Sequence, residues 1–128
     1  MQTHFFTRLN GKYVRINLSE ILYIEGCRNY VKIVTAAKPI LALITLKSME
    51  AMLPEGMFVR IHKSYIVSLD RIQSFDADEV QLPDRILPVG SQYKGVLERK
   101  VFIVQEKKNV IPDELITSEE GILHRAAS

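Results

Sequence analysis

The amino-acid sequence predicts a mainly β fold with short helices, a β-rich α+β domain. Three observations carry that reading. Apolar side chains alternate one in two through Tyr13-Val14-Arg15-Ile16-Asn17-Leu18; most other apolar runs are short and bounded by Gly, Pro, Asn, Asp or Ser; and helical spacing occurs in only two places. With 128 residues the chain is one domain's worth of polypeptide, long enough to bury a core without a disulfide or metal.

Each element follows in order. Val14, Ile16 and Leu18 share one face and Tyr13, Arg15 and Asn17 the other, as in a strand with one wetted face. Asn10-Gly11 ahead of it reads as a hairpin turn, because both residues tolerate positive φ, and pairs it with a first strand from His4 to Arg8. Ile21 to Glu25 and Tyr30 to Thr35 read as strands joined by the loop Gly26-Cys27-Arg28-Asn29, and Ile40 to Ile44 follows the turn at Lys38-Pro39. The first third of the chain then reads as a β-meander. At Thr45 the period changes: Leu46, Met49, Met52 and Leu53 fall on one side of a helix, with Thr45 as N-cap and Pro54 as stop. Beyond Gly56, five short strands are expected, at Met57 to Ile61, Tyr65 to Leu69, Ile72 to Phe75, Val80 to Leu82 and Ile86 to Val89. A second helix is expected from Ser91 to Val104, with Tyr93, Val96 and Leu97 on one face and Gly95 weakening it by about 1 kcal/mol relative to Ala. Tyr13, Tyr23, Phe58 and Tyr65 read as core or half-buried. Residues 105–128 lose both periodicity and aromatics, and read as a weakly structured tail with a short helix at Asp113 to Ile116 behind a folded domain of residues 1–104.

Composition removes several functions. Seventeen Lys+Arg against fifteen Asp+Glu give a net charge of +2, which excludes a highly basic nucleic-acid tail and an acidic disordered segment. The charge is unevenly spread: residues 1–104 hold fourteen Lys/Arg and ten Asp/Glu, hence +4, and residues 105–128 hold three and five, hence −2. One cysteine, Cys27, cannot make an internal disulfide, and no Cys/His spacing resembles a zinc site, so no metal or other cofactor is expected. No apolar run approaches the roughly 18 residues of a membrane span, and the opening Met-Gln-Thr-His-Phe-Phe has no signal-peptide pattern. A reducing, cytoplasmic location is the default.

Catalytic signals are weak. Of the histidines His4, His62 and His124, only His62 lies inside the domain; Ser64 is two residues away and no carboxylate is adjacent to orient a nucleophile–base pair. There is no phosphate-cradling Gly-rich loop, HExxH or GxSxG, and Asp76, Asp78, Glu79 and Asp84 cluster as solvated turn residues do. Three loops instead carry groups suited to phosphates or bases. They are Arg60-Ile61-His62-Lys63-Ser64 between the anchors Phe58 and Tyr65, Arg28-Asn29-Tyr30, and Gly90-Ser91-Gln92 with Lys94 at a helix N-terminus. By residue type alone the same loops read as ordinary solvated surface rather than as a binding site.

Read together, these elements resemble the LytTR family, the DNA-binding output domains of a class of bacterial response regulators. The matching pieces run in family order over about residues 4 to 100: Gly11-Lys12-Tyr13-Val14-Arg15-Ile16; Glu20-Ile21-Leu22-Tyr23-Ile24-Glu25 followed by Asn29-Tyr30-Val31; Thr45-Leu46 opening a helix that ends at Leu53; Phe58-Val59-Arg60-Ile61-His62-Lys63-Ser64-Tyr65-Ile66-Val67; Ile72; and Leu87-Pro88-Val89-Gly90 leading to Tyr93.

The resemblance implies an elongated arrangement of small, mostly antiparallel sheets, and recognition of double-stranded DNA by loops that enter the major groove. Carried over position by position, it makes the base-reading loops those holding Arg28 and Asn29, His62 and Lys63, and Ser91 and Gln92; with Arg60, Ser64 and Lys94 from the donor-rich loops themselves, these are the candidate DNA-binding residues. Alternatives stay open at several of them. Asn29 could close a turn, Lys63 could be a solvated lysine, His62 could bond its own loop, and Arg60 could pair with a carboxylate beneath the loop. Ser91 stands where many family members carry arginine, and a hydroxyl cannot span guanine O6 and N7 as a bidentate Arg does; Ser91 or Gln92 could cap the helix, with Lys94 supplying charge.

The implied partners are promoter repeats bound as a homodimer, with an upstream receiver domain in a longer chain. The first strand starts too near Met1 to leave room for a receiver here, so the chain reads as an excised output domain or a stand-alone transcriptional regulator. The modest charge implies few phosphate contacts per protomer and hence dependence on paired copies. The other readings are a β-rich protein-interaction module of the same fold without DNA affinity, kept open by the uncharged Gly90-Ser91-Gln92 loop, and a small hydrolase built on His62 and Ser64.

Overall fold

A computed structural model describes residues 2–105. The expected tail, apart from Gln105, and the short helix expected at Asp113 to Ile116 lie outside the described residues. Strands β1 (His4–Leu9) and β2 (Lys12–Asn17) form the expected hairpin, with Leu9 paired to Lys12 across Asn10-Gly11. Both turn residues have positive φ, +51° and +79°, the handedness that matches strand twist.

A five-stranded antiparallel sheet forms the centre, in the order β5-β4-β3-β7-β6. Its members are β3 (Ile21–Cys27), β4 (Tyr30–Thr35), β5 (Ile40–Ala42), β6 (Phe58–His62) and β7 (Tyr65–Ser68). The expected meander is therefore confined to β3-β4-β5, while β1 and β2 form a sheet of their own. A 3-10 turn at Leu18–Glu20 turns the chain away after β2, buries Leu18 and bonds its N–H to the Thr3 carbonyl. The edge of β3 that β2 would have used is taken by β7, Tyr23 facing Val67 and Ile24 facing Ile66. A third sheet, ordered β10-β9-β8, comprises β8 (Ser74–Phe75), β9 (Glu79–Leu82) and β10 (Arg85–Pro88). In the β8–β9 turn the Asp76 carboxylate accepts the N–H groups of Asp78 and Glu79 at 2.8 and 2.9 Å, which holds its carboxyl below the usual range.

Helix α1 (Leu46–Met52) is capped by Thr45, whose hydroxyl accepts the Ser48 N–H at 3.1 Å. Leu46, Met49 and Leu53 are buried, but Met52 is 65% exposed, against expectation. At about 100° per residue Met52 falls about 60° outside Met49, beyond the stripe that meets the sheet. The expected second helix is two pieces: a 3-10 turn at Ser91–Tyr93 and helix α2 (Val96–Lys100). Gly95 sits between them in the left-handed region at φ +83°, which no helix continues through, and α2 stops before the expected Val104.

Two apolar clusters hold these parts together, one on each face of the central sheet. Ile24, Ile33 and Ile66 pack with Ile16, Leu18 and the buried side of α1; Tyr23, Val59, Ile61 and Val67 pack with Val80, Leu82, Leu87 and Leu97. A bulge between Ile21 and Tyr23 lets Leu22 and Tyr23 both face the second cluster. Each fully buried Ile, Leu or Val contributes about 1.5–3 kcal/mol, so β3 and β7, covered on both faces, are the backbone on which the loops at their ends are mounted. Tyr23 and Phe58 are core and Tyr65 is half-buried, as expected, but Tyr13 is 70% exposed. It lies on the wet face of β2, where its hydroxyl accepts from Arg8 and its ring lies under the Arg8 guanidinium.

Candidate nucleic-acid interface

The first loop is shorter than its sequence suggests. Gly26 and Cys27 belong to β3, Cys27 pairs with Tyr30, and the turn is Arg28-Asn29 alone, both side chains exposed. Arg28 holds φ at +62°, a conformation that costs a non-glycine residue about 1 kcal/mol. The second loop is the β6–β7 turn Lys63-Ser64, closed by the pairing of His62 with Tyr65. A register shift between Arg60 and His62 inserts one extra residue into β6 just before this turn. The third loop follows β10, where Val89 is buried, Gly90 half-buried, and Ser91 and Gln92 exposed.

Backbone hydrogen bonds join the three loops. Because β3 lies beside β7, the Gly26 N–H reaches the Ser64 carbonyl at 2.8 Å; the Gly90 N–H reaches the Ile61 carbonyl, also at 2.8 Å. Neither glycine has positive φ; at both, close approach leaves a Cβ little room. A Cβ on Gly26 would stand 3.0 Å from the Leu46 Cβ of α1, and one on Gly90 would stand 3.2 Å from the Tyr93 ring and 3.4 Å from His62. Arg28-Asn29, His62-Lys63-Ser64 and Ser91-Gln92 are thereby held in fixed relation at one end of the sheet.

The side chains differ in how free they are. Among the described ion pairs none engages Arg28 or Lys63. His62 bonds its own loop: Nδ1 accepts the Ser64 backbone N–H at 3.0 Å, so the neutral ring carries its proton on Nε2, a donor. That bond leaves the proton on Nε2, so the nitrogen that takes the serine proton in a hydrolase is already protonated. Arg60 is committed beneath the second loop, its side chain only 14% exposed, with Glu50 of α1 at 2.9 Å and the His62 and Lys63 carbonyls at 2.8 and 2.7 Å. Lys94 is paired with Asp78 in an exposed contact of the kind that contributes little. Ser91 and Gln92 open a three-residue 3-10 turn, not the expected α-helix, and its N-cap is Gly90, so neither caps it. Behind the first two loops, burial raises the Tyr65 hydroxyl above its ordinary value of 10.0, Glu25 and Tyr23 add to the rise, and Arg85 and Lys32 oppose it. Sequence reading missed Glu50, an exposed position on α1 with no local signal, and the close-approach roles of Gly26 and Gly90, which only the tertiary neighbours reveal.

Chemically, the cluster offers cations, a neutral donor, two amides and hydroxyls on short, backbone-linked turns. Those groups suit phosphate oxygens and base edges, and a two-stranded β-ribbon is narrow enough for a major groove. Comparison with known proteins agrees in kind. A comparison with curated proteins gave no match. Four solved chains match, among them one described as the LytTr DNA-binding domain of a methyl-accepting/DNA response regulator from Bacillus cereus, with a TM-score of 0.66 at 16% identity over 78% of this chain and 97% of that one. At that identity the likeness carries the fold. The family model for the LytTr DNA-binding domain matches residues 11–100, a span that takes in all three loops and both apolar clusters. The chain therefore belongs to the LytTR family, a family of DNA-binding domains and not of enzymes.

Proposed function

We propose that the chain is a sequence-specific, double-stranded DNA-binding domain of a bacterial transcriptional regulator, acting in the cytoplasm. The observation that carries this reading is the coupling of the three loops through Gly26–Ser64 and Gly90–Ile61, which presents Arg28, Asn29, His62, Lys63, Ser91 and Gln92 together. Arg28 and Lys63 supply charge toward phosphates; Asn29, the His62 Nε2–H and Gln92 are suited to base edges. Ser64 holds the second loop through its backbone and adds a hydroxyl, Ser91 offers a hydroxyl to phosphate, and Lys94 becomes available when DNA displaces Asp78. Residues 1–104 constitute the binding unit. With a net charge of +4 on those residues, phosphate contacts per copy are few, so two copies bind adjacent promoter repeats, and a receiver domain upstream supplies the input in a longer chain.

Selection of duplexes from a random library by the whole chain, followed by a salt series on the winner, tests the reading. Log affinity is expected to fall steeply and linearly with log salt, and Lys63→Ala is expected to make the slope shallower by about 0.9 for one lost phosphate contact. A pool that does not enrich, or salt-independent binding to a tandem repeat, overturns the proposal.

A further inference from the structure

We propose that Arg60 is a positioning residue that shapes the Lys63-Ser64 turn from beneath, anchored by Glu50, and makes no DNA contact of its own; this rests on the loop-mediated reading above. All three guanidinium nitrogens are engaged. Nε donates to the His62 carbonyl at 2.8 Å, Nη2 to the Lys63 carbonyl at 2.7 Å, and Nη1 to Glu50 Oε1 at 2.9 Å. The same group lies over the Tyr93 ring, 5.8 Å from its centre, within cation–π range. One planar cation thus touches α1, both carbonyls at the second loop and the aromatic side chain of the third. The irregularity in β6 between Arg60 and His62 lies on the stretch of chain that leads into these two carbonyls.

Swinging Arg60 out to a phosphate would strip two carbonyls and a carboxylate of their donor at once. Each such charge-assisted bond contributes more than a neutral one, and an exposed phosphate already solvated by water offers at most a bidentate pair in return for the three. The geometry suits arginine alone, since a lysine ammonium is a point charge without the rigid fork. The consequence for DNA is selective. Phosphate attraction varies gently with distance, whereas a hydrogen bond to a base edge needs its donor within a few tenths of an ångström and well aligned. Loosening the turn that carries His62 and Lys63 therefore removes discrimination before it removes general affinity.

The experiment uses the whole chain, the duplex it selects from a random library, and a scrambled duplex of the same composition. Arg60→Gln is expected to lower the selected-to-scrambled affinity ratio about tenfold while leaving the salt slope within about 0.3 of the unsubstituted chain, and Arg60→Lys is expected not to rescue it. Glu50→Gln alters a half-exposed carboxylate on α1, outside the DNA-facing loops, so its fold is secure; it is expected to lower the same ratio about threefold. A phosphate-contacting Arg60 gives the opposite pattern: Arg60→Gln makes the slope shallower by about 0.9 and weakens both duplexes equally, and Glu50→Gln leaves the ratio unchanged. A readout without DNA separates the brace from the DNA reading. In Glu50→Gln the Ser64 amide is expected to shift in the NMR spectrum and to exchange its hydrogen about tenfold faster. An unmoved, equally protected Ser64 amide overturns the brace even where duplex binding is intact, and a chain that enriches no duplex overturns the DNA reading while the amide result still decides the brace.

Discussion

The β1–β2 and β3–β4 hairpins close on loops of equal length, Asn10-Gly11 between Leu9 and Lys12 and Arg28-Asn29 between Cys27 and Tyr30. The first puts asparagine and glycine at φ +51° and +79°, where both are comfortable. The second puts arginine at φ +62°, and no glycine shares the turn. The first turn is built for stability by local chemistry. The second tolerates strain because β3 is paired on both edges and its last residues are tied to the second loop, so neighbours impose what the turn residues resist. Strain is kept where an exposed cation is displayed.

That contrast can be broken at four points. The largest stability effect is expected beside the strained turn, at Gly26→Val: a side chain 3.0 Å from the Leu46 Cβ forces α1 off the sheet, lowering stability by about 2–3 kcal/mol in urea denaturation. Arg28→Gly is expected to act in opposite directions on two observables. Duplex affinity falls about tenfold with a shallower salt slope, whereas the melting temperature holds or rises slightly because the positive φ is relieved. Gly11→Ala in the comfortable turn has open space around its Cβ, so only the backbone term remains, about 1 kcal/mol, with duplex affinity unchanged. Smallest is the alkaline effect of Tyr65, which lies next to the second loop. Its hydroxyl is raised in the folded state, so its contribution is fully present below pH 10.0 and is lost as pH rises through the folded value. Tyr65→Phe is therefore expected to flatten the fall in urea midpoint between pH 9 and pH 11; an unchanged pH profile would count against the burial of that hydroxyl.

What could be read from the residues was whatever acts within a few positions. Asn10-Gly11, the Thr45 cap, the Pro54 stop and the alternation in β2 each work on near neighbours, and all stand in the structure. Pairing across long separations could not be read: nothing near Tyr23 announces Val67, and that pairing is what excludes β2 from the central sheet. Met52 was misplaced because helical spacing shows what a side chain tolerates, and the packing of the whole decides how wide a stripe is covered; Tyr13 read as core from its aromatic ring although the alternation already put it on the wet face of β2. Gly95 signalled a weakness, but only its left-handed backbone turns weakness into a break. At the candidate site the three loops were legible as donor-rich turns, and an Arg60–carboxylate pair was legible as a possibility. Its partner Glu50 was not, since ten residues and a helix end separate them.

Backbone amides carry no side-chain identity, and this gives the Gly26–Ser64 and Gly90–Ile61 bonds a consequence for how the domain changes over time. They act as a ruler whose graduations do not depend on the markings placed on it. Asn29, Lys63, Ser91 and Gln92 can each be exchanged without touching those bonds, at stability changes within about 0.5 kcal/mol and with effects on separate loops close to additive. On the proposed function, sequence preference is thus rewritten one turn at a time, by drift or by design, while the spacing of the loops stays the same.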